Sequence, residues 1–352
     1  MIYVLLFIAG LFLLVIGAEL LVRGSSRISA ALGISKLIIG LTVVAFGTST
    51  PELAVSMRSG LSGFADIAIG NVVGSNIFNI LLILGISAVI TPLVVSRQLI
   101  RLDVPIMIGA SLLFFLLGLD GKIGRIDGAI MFIGLICYLL FLIRQNKKEL
   151  FLAVDKKEES AVTVLFWLVN IFYMILGLYM LVTGSGWLVR GAVFFAEALG
   201  LSKLVIGLTI IAAGTSLPEV ATSIVASVRG ERDIAIGNVV GSNIFNILVV
   251  LGLSSLVTNT GIKVSSAALH FDIPVLLAVS IACLPIFFTG SKISRWEGLL
   301  FLGYYIAYTA FLILQSSQHK TIPLFSTVMT IFVIPITVIT LIIVTFRAIK
   351  NK

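Results

Sequence analysis

Residues 66–81 read DIAIGNVVGSNIFNIL, and residues 233–248 repeat the same sixteen letters 167 positions later. A second pair of stretches matches at the same offset, SKLIIGLTVVAFGTSTPELAVS at 35–56 and SKLVIGLTIIAAGTSLPEVATS at 202–223. Chance does not produce an identity of this length. The chain therefore consists of two related halves, and this internal repeat sets its architecture.

The composition places both halves in a membrane. Of the 352 residues, 59% are hydrophobic and 11% are charged, and the mean hydropathy is +1.19. A soluble domain has about 25% charged residues, so a soluble globular protein is excluded. Since a membrane crossing takes roughly 20 apolar residues, the apolar stretches predict eleven spanning segments. The segments are 2–22, 37–57, 67–91, 102–119, 126–143, 162–187, 204–228, 234–257, 269–289, 297–314 and 323–346.

Five segments fall in each half, and this odd number has a geometric consequence. The second half must begin on the opposite side of the membrane from the first, as in many secondary transporters. We therefore predict an all-α polytopic membrane protein with two inverted five-helix repeats, ten core transmembrane helices in all, plus an additional C-terminal transmembrane helix. The expected parts are a first repeat at 1–143, a cytoplasmic linker at 144–161, a second repeat at 162–314 and the extra, peripheral helix at 315–352.

The positive charges predict an orientation. Of the 24 Lys and Arg residues, 17 follow odd-numbered segments and 7 follow even-numbered ones. Lys and Arg in short loops mark the cytoplasmic side. We expect an outside N-terminus and a cytoplasmic linker and C-terminus, in the plasma membrane. The net charge of +8 thus reflects orientation in the lipid bilayer, and no nucleic acid partner is expected.

Two carboxylates, Glu52 and Glu219, lie within apolar segments at matching positions of the two halves. A charge at the centre of a membrane helix costs about 2.5 to 3.5 kcal/mol on insertion scales, so such residues usually mark an ion or substrate path. Pro51 and Pro218 precede them, and a helix proline frees carbonyl groups that could hold a cation. The sequence therefore predicts a polar site where the two halves meet.

Hydroxyl and amide side chains recur at helical spacing near these carboxylates. Thr48 lies four residues before Glu52, as Thr215 does before Glu219, so each pair is expected to share one helix face. The same spacing relates the pairs Ser75 with Asn79 and Ser242 with Asn246. Oxygen donors without Cys or His favour sodium, calcium, magnesium or manganese over zinc or copper.

Two more features are repeated in both halves, a pair of asparagines and two pairs of glycines. Asn71 and Asn238 could serve either packing or the site. Small residues at helical spacing allow close approach of membrane helices, so the third and eighth segments are expected to pack closely against the second and seventh. The glycines concerned are Gly70, Gly74, Gly237 and Gly241.

The doubled motifs resemble a known family. Gly-Thr-Ser-Thr/Leu-Pro-Glu paired with Gly-Asn-Val-Val-Gly-Ser-Asn-Ile-Phe-Asn, twice in one chain, is similar to the alpha repeats of the calcium/cation antiporter superfamily, in its sodium/calcium exchanger branch, as in a prokaryotic member. The resemblance implies secondary active exchange of calcium for sodium across the plasma membrane by alternating access. It implies a transporter that is not an enzyme, without a cofactor, and we expect a monomer.

The resemblance also implies an ion-binding cluster, with Glu52 and Glu219 as the shared ligands of calcium or sodium. Hydroxyl, amide and backbone carbonyl groups complete it, and sliding of segments 1 and 6 across the core would switch access. The implied metal-binding residues are Ala45, Thr48, Ser49, Glu52, Ser75, Asn79, Ala212, Thr215, Ser216, Glu219, Ser242 and Asn246.

Several alternatives stay open from the sequence. Well-known exchangers of the family carry Asp where this chain has Asn246, so only two carboxylates remain and a ratio of three sodium ions to one calcium ion cannot be carried over. Buried Glu52 and Glu219 could instead exchange protons for calcium or another cation. A passive cation channel would also need oxygen-lined helices, but not alternating access.

Overall fold

The apolar segments form long helices in a computed structural model that describes residues 2–153, 163–199, 210, 212–258, 260–316 and 321–350. Among these residues, nine helices are long and apolar enough to cross a membrane, or ten if one bent pair counts as a single span. The helices are α1 (Ile2–Leu32), α2 (Lys36–Thr48), α3 (Thr50–Leu61), α4 (Asp66–Ile90), α5 (Leu99–Asp120), α6 (Arg125–Ala153), α7 (Val164–Ala198), α8 (Leu217–Val228), α9 (Arg232–Val257), α10 (Ala268–Ser291), α11 (Arg295–Ser316) and α12 (Ile322–Phe346).

Two helices extend beyond the predicted segments. α1 continues ten residues past the predicted end at 22, and α6 continues through the first part of the predicted linker. The stretch 144–153 has no Gly or Pro and is rich in Lys, Gln and Glu, which are good helix formers, so polarity alone does not end the helix. The rest of the linker, 154–161, and the start of the seventh segment, 204–209, lie outside the described residues.

The second segment is broken just before its proline. α2 and α3 meet at Ser49 with a bend of 44°, and Pro51 stands at the start of α3. Ser216 has nearly the same backbone angles, φ −88° and ψ 6°, and Pro218 opens α8 in the same way. Proline is tolerated in the first turn of a helix, where its missing N–H is not needed. Each half therefore starts a new helix immediately before its carboxylate.

The repeated sixteen-residue motif forms α4 in one half and α9 in the other. Each helix changes from α to π winding at the motif's last asparagine, over Asn79–Ile83 and Asn246–Leu251. Short π segments are frequent at functional sites. α9 is buried throughout its most apolar window, whereas the corresponding window of α12 has no buried residue. The motif helices therefore form the centre of the molecule, and α12 lies at its edge.

Glycines allow two close helix contacts. A methyl group added at Gly237 or Gly241 would lie within 3 Å of the backbone of Leu37 and Leu41 respectively, so α9, the eighth segment, packs closely on α2 of the second segment instead of on the seventh through these glycines. Within the described residues, a methyl group at Gly70 or Gly74 would meet no atom within 4 Å, so α4 makes no comparable contact through its glycines there. α1 and α7 run antiparallel in similar contact, with Gly17 against Gly177 and Gly10 against Gly184.

Short strands link the two halves at the helix ends. β1 (Leu93–Val94) precedes α5, β2 (Lys122–Ile123) follows it, β3 (Ile262–Lys263) precedes α10 and β4 (Lys292–Ile293) follows α10. β1 pairs with β4 and β2 pairs with β3, both antiparallel. Each two-stranded sheet thus takes one strand from each half.

Candidate cation site

The two predicted carboxylates, Glu52 and Glu219, lie in the first turns of α3 and α8, directly after the breaks. Both are fully buried, with 0% of each residue exposed. A helix N-terminus carries partial positive charge and favours a carboxylate in its first turn. The breaks therefore place a buried carboxylate in each half at a position that stabilises its charge.

Serines from one half bond the carboxylate of the other. The Ser216 hydroxyl donates to Oε1 of Glu52 at 2.9 Å, and the Ser49 hydroxyl donates to Oε1 of Glu219 at 3.1 Å. Both serines are buried at the helix breaks. The two bonds are equivalent in the repeat, since each runs from a serine of one half to the glutamate of the other. Both halves therefore build the cluster together.

The motif helices supply a second hydroxyl to each carboxylate. Ser75 on α4 donates to Oε1 of Glu52, and Ser242 on α9 donates to Oε1 of Glu219, each at 3.5 Å. Ser216 also donates to the Ser75 hydroxyl at 3.0 Å. Each carboxylate therefore has its Oε1 bonded to one hydroxyl from a helix break and one from a motif helix.

The threonines are placed differently from the prediction. Because α2 ends at Thr48 and α3 starts at Thr50, Thr48 and Glu52 do not share one helix face, and that prediction is wrong. The Thr48 hydroxyl donates to Oδ1 of Asn238 at 3.0 Å and to the carbonyl of Ala45 at 3.3 Å. The break at the proline interrupts the helical spacing on which the prediction relied.

Asn71 and Asn238 hold the broken helices to the motif helices. The Asn71 amide donates to the backbone carbonyl of Glu52 at 3.0 Å and to the Ser56 hydroxyl at 2.9 Å, and its own oxygen accepts from Thr215 at 3.2 Å. Asn238 makes the equivalent bonds to the carbonyl of Glu219 and to Ser223. The role that the sequence left open is thus one of positioning.

Four asparagines cross-link α4 and α9. The amide of Asn79 donates to Oδ1 of Asn243 at 3.1 Å, and the amide of Asn246 donates to Oδ1 of Asn76 at 2.9 Å. Asn76 also donates to the backbone carbonyl of Asn243 at 3.2 Å. Asn76 and Asn243 were missed as site residues, although both stand within the identical sixteen-residue repeat.

The remaining oxygen atoms of these side chains are the ones a cation would use. Among the described residues, four buried side-chain oxygens of the cluster have no hydrogen-bond partner: Oε2 of Glu52, Oε2 of Glu219, Oδ1 of Asn79 and Oδ1 of Asn246. Buried acceptors are normally satisfied, and hard cations prefer carboxylate and amide oxygens. Two symmetric pairs of unpartnered acceptors fit a bound cation.

The predicted backbone ligands are only partly placed. The carbonyl of Ala45 lies in the last turn of α2 and accepts from the N–H of Ser49 at 3.0 Å. Ala212 begins a short helical turn, Ala212–Gly214, that precedes the break before α8. Both alanines therefore lie about one turn before a break.

Asp103, which is buried, and Asp272, which is half-buried, bond to groups outside this cluster. Asp103 accepts from Tyr138 at 3.1 Å and from Gln98, and Asp272 accepts from Tyr308 at 3.0 Å. Within the described residues, no group of three or more His, Cys, Asp or Glu side chains could hold a metal ion. The candidate cation site therefore depends on two carboxylates supplemented by neutral oxygens.

Comparisons with known proteins find the same family that the doubled motifs resemble. The family model described as sodium/calcium exchanger protein matches residues 2–144 and 169–314. The sodium/calcium exchanger MaX1 of Methanosarcina acetivorans is 34% identical over 339 residues, covering 86% of this chain and 96% of its own length. The inner membrane protein YrbG of Escherichia coli is 36% identical over 87% of this chain and 95% of its own. A solved structure of the sodium-calcium exchanger NCX_Mj superposes with a TM-score of 0.76 at 34% identity, covering 89% of this chain and all of that one.

Proposed function

Since the chain belongs to the sodium/calcium exchanger family, we propose that it exchanges calcium for sodium across the plasma membrane by alternating access. The chain is a multi-pass membrane protein and a cation/calcium antiporter, and its family is one of transporters. The observation that carries the proposal is the pair of fully buried carboxylates, Glu52 and Glu219, each with one unpartnered oxygen.

Calcium and sodium are bound, in this proposal, by the twelve residues that the two repeats predict. The hydroxyls of Ser49 and Ser216 tie each carboxylate to the opposite half, so a bound ion is shared between the halves. An antiporter needs a site shared between its halves, because the ion must stay bound while the halves move to close one side and open the other. Two carboxylates balance the charge of one calcium ion or two sodium ions.

The two halves are proposed to be inverted repeats, at 1–143 and 162–314. The equivalent strands β1 and β3 lie in different sheets, as expected if they face opposite sides of the membrane. The equivalent helices α1 and α7 pack antiparallel, with Gly10 near Gly184 and Gly17 near Gly177. Both features support an approximate two-fold relation between the halves.

The remaining parts of the architecture are proposed from the charge pattern and the burial. The N-terminus lies outside, and the linker at 144–161 and the C-terminus lie in the cytoplasm. The segment 315–352 adds a peripheral transmembrane helix to a monomeric transporter, in keeping with the unburied surface of α12. Attaching an impermeant thiol reagent to single cysteines placed at Asp120 and Arg144 tests this orientation, which requires opposite sides for the two positions.

Proton-coupled exchange is the second candidate. Buried carboxylates in membrane proteins also serve as proton carriers, and Glu52 and Glu219 are fully buried. The two candidates differ in the counter-ion that drives calcium uptake. Uptake under a pH gradient in sodium-free buffer would favour protons, whereas a strict need for sodium favours the main proposal.

The test is calcium uptake by the purified protein in liposomes under an imposed sodium or proton gradient. We expect uptake that depends on sodium and that is abolished in Glu52→Gln and in Glu219→Gln, while Asp120→Asn, at the exposed end of α5, leaves it unchanged. Uptake without any counter-ion would indicate a channel. Full transport by both glutamine variants would refute the site.

A further inference from the structure

A hydrogen bond connects α7 to the break before α8. The hydroxyl of Ser185 donates to the backbone carbonyl of Gly214 at 2.5 Å, and both residues are buried. Gly214 lies four residues before Pro218, which has no N–H to donate. Ser185 therefore satisfies the carbonyl that the proline leaves without its helical partner.

The first half cannot make this bond. At the repeat offset of 167, Ser185 corresponds to Ala18 on α1, and Gly214 corresponds to Gly47 before the first break. Ala18 is fully buried, and its side chain has no hydroxyl. The two otherwise equivalent breaks thus differ in how their freed carbonyls can be satisfied.

The packing around the two halves is also unequal. Six of the twelve residues of α8 are buried, but only three of the twelve residues of α3 are. Ion pairs join α1 and the start of α2 to the chain just after α8, between Glu19 and Arg229 and between Lys36 and Glu231 respectively. The arrangement seen here is therefore closed over α8 and more open along α3.

Alternating access in a pair of inverted repeats exchanges the surroundings of the two halves. In the opposite state, Gly47 has the surroundings that Gly214 has here, and the residue that would face its carbonyl is Ala18, the equivalent of Ser185. The hydrogen bond consequently exists in one access state and has no counterpart in the other.

We propose that Ser185 is a positioning residue that stabilises the state closed over α8, and that it thereby makes the two faces of the transporter unequal in apparent ion affinity. This inference rests on the proposed antiport function. A net hydrogen bond of ordinary strength changes an equilibrium constant about two- to twelvefold. Apparent affinity at each face scales with the fraction of protein in the state open to that face.

The experiment compares full-length wild type and Ser185→Ala in right-side-out and inside-out membrane vesicles. The half-saturating calcium concentration is measured at each face. We expect it to rise at the face where α3 ends and to fall at the face where α8 ends, so that their ratio changes about two- to twelvefold. Under the proposed orientation, α3 ends at the outer face.

Two further variants provide the controls. Ser185→Thr retains a hydroxyl and should keep the wild-type ratio. Ala18→Ser offers a donor near Gly47 and should move the ratio in the opposite direction from Ser185→Ala. These two variants keep the test decisive even if Ser185→Ala folds poorly.

An equal change at both faces, or a loss of maximal rate at unchanged affinities, would show a merely structural serine and overturn the inference. An unchanged ratio in active Ser185→Ala would overturn it as well, while leaving the proposed exchange intact. If wild-type vesicles exchange no calcium with any counter-ion, the proposed function fails, and this inference fails with it.

Discussion

At the scale of single residues, asparagine orientation decides which atoms face the candidate cation site. An amide group can present either its oxygen or its nitrogen. The Oδ1 atoms of Asn76 and Asn243 accept from the amides of Asn246 and Asn79 respectively. This pairing directs the amide nitrogens of Asn79 and Asn246 towards the neighbouring helix and leaves their Oδ1 atoms for an ion.

Replacing Asn76 with alanine should weaken calcium binding although Asn76 has no proposed ligand role. Asn246 would lose the acceptor that orients its amide, and losing an outer partner of a metal ligand typically lowers affinity about 10- to 100-fold. Calorimetric titration of the purified variant with calcium measures the loss. Ser111→Ala, another buried polar change but away from the site, should bind calcium as the wild type does, and equal losses in both variants would contradict this role.

At the scale of elements, the proline breaks determine where the carboxylates lie. Substituting alanine for Pro51 restores an N–H that can bond the carbonyl of Gly47, so α2 and α3 should join into one straighter helix. We expect transport to fall at least about tenfold while thermal stability is kept or increased, because alanine adds a backbone hydrogen bond and favours a continuous helix. The measurements are calcium flux and thermal unfolding in detergent.

Pro285→Ala is the matched control for this change, since Pro285 stands inside α10, away from the carboxylates. It should leave the calcium flux close to the wild-type value. A transport-competent Pro51→Ala variant would mean that the break is not required for the site.

The contact between α1 and α7 depends on glycine. A methyl group at Gly177 would lie 2.7 Å from the carbonyl oxygen of Gly17 and 2.8 Å from the backbone nitrogen of Leu21. Gly177→Ala should therefore separate the two helices and destabilise the protein by about 1–3 kcal/mol. The change should appear as a lower unfolding temperature, measured by thermal denaturation in detergent.

Gly109→Ala tests whether this effect comes from the contact. Within the described part of the chain, a methyl group at Gly109 would meet no atom within 4 Å. That variant should unfold at the wild-type temperature or above it, because alanine favours a helix over glycine. Equal destabilisation of both variants would remove the contact as the explanation.

At the scale of the whole molecule, the two ends of the transporter are closed differently. Lys36 bonds Glu231 at 2.6 Å, and Ser26 donates to the same carboxylate at 2.9 Å. The first half has Phe64 where the second has Glu231, so it cannot form this ion pair. The pairs therefore favour closure at the end of α8.

Glu231→Gln should shift the ratio of calcium affinities at the two faces in the same direction as Ser185→Ala, but by less than about fivefold. Partly exposed ion pairs contribute only about 0.2–1 kcal/mol, and salt screens them. The shift should shrink when choline chloride is added to the vesicle assay. Asp120→Asn removes a charge at the exposed end of α5, away from this ion pair, and should leave the ratio unchanged. A salt-independent shift in Glu231→Gln would exclude the electrostatic explanation.

The sequence by itself determined the membrane class, the two related halves, the prolines beside the carboxylates that free backbone carbonyls, Pro51 and Pro218, and the family. These features are local or repeated: apolar length gives membrane helices, proline interrupts hydrogen bonding at its own position, and the repeat is visible by identity. The sequence also selected Glu52 and Glu219, because a charge is costly in an apolar segment.

Only the tertiary structure decided how the halves share their groups. That Ser216 bonds Glu52, that Asn76 orients Asn246 and that Ser185 reaches Gly214 are contacts between residues 29 to 170 positions apart. Helical spacing predicts neighbours only within one unbroken helix, and it placed Thr48 beside Glu52 wrongly because the helix breaks between them. The pairing across halves follows from how α2, α4, α7, α8 and α9 pack, which no local pattern encodes.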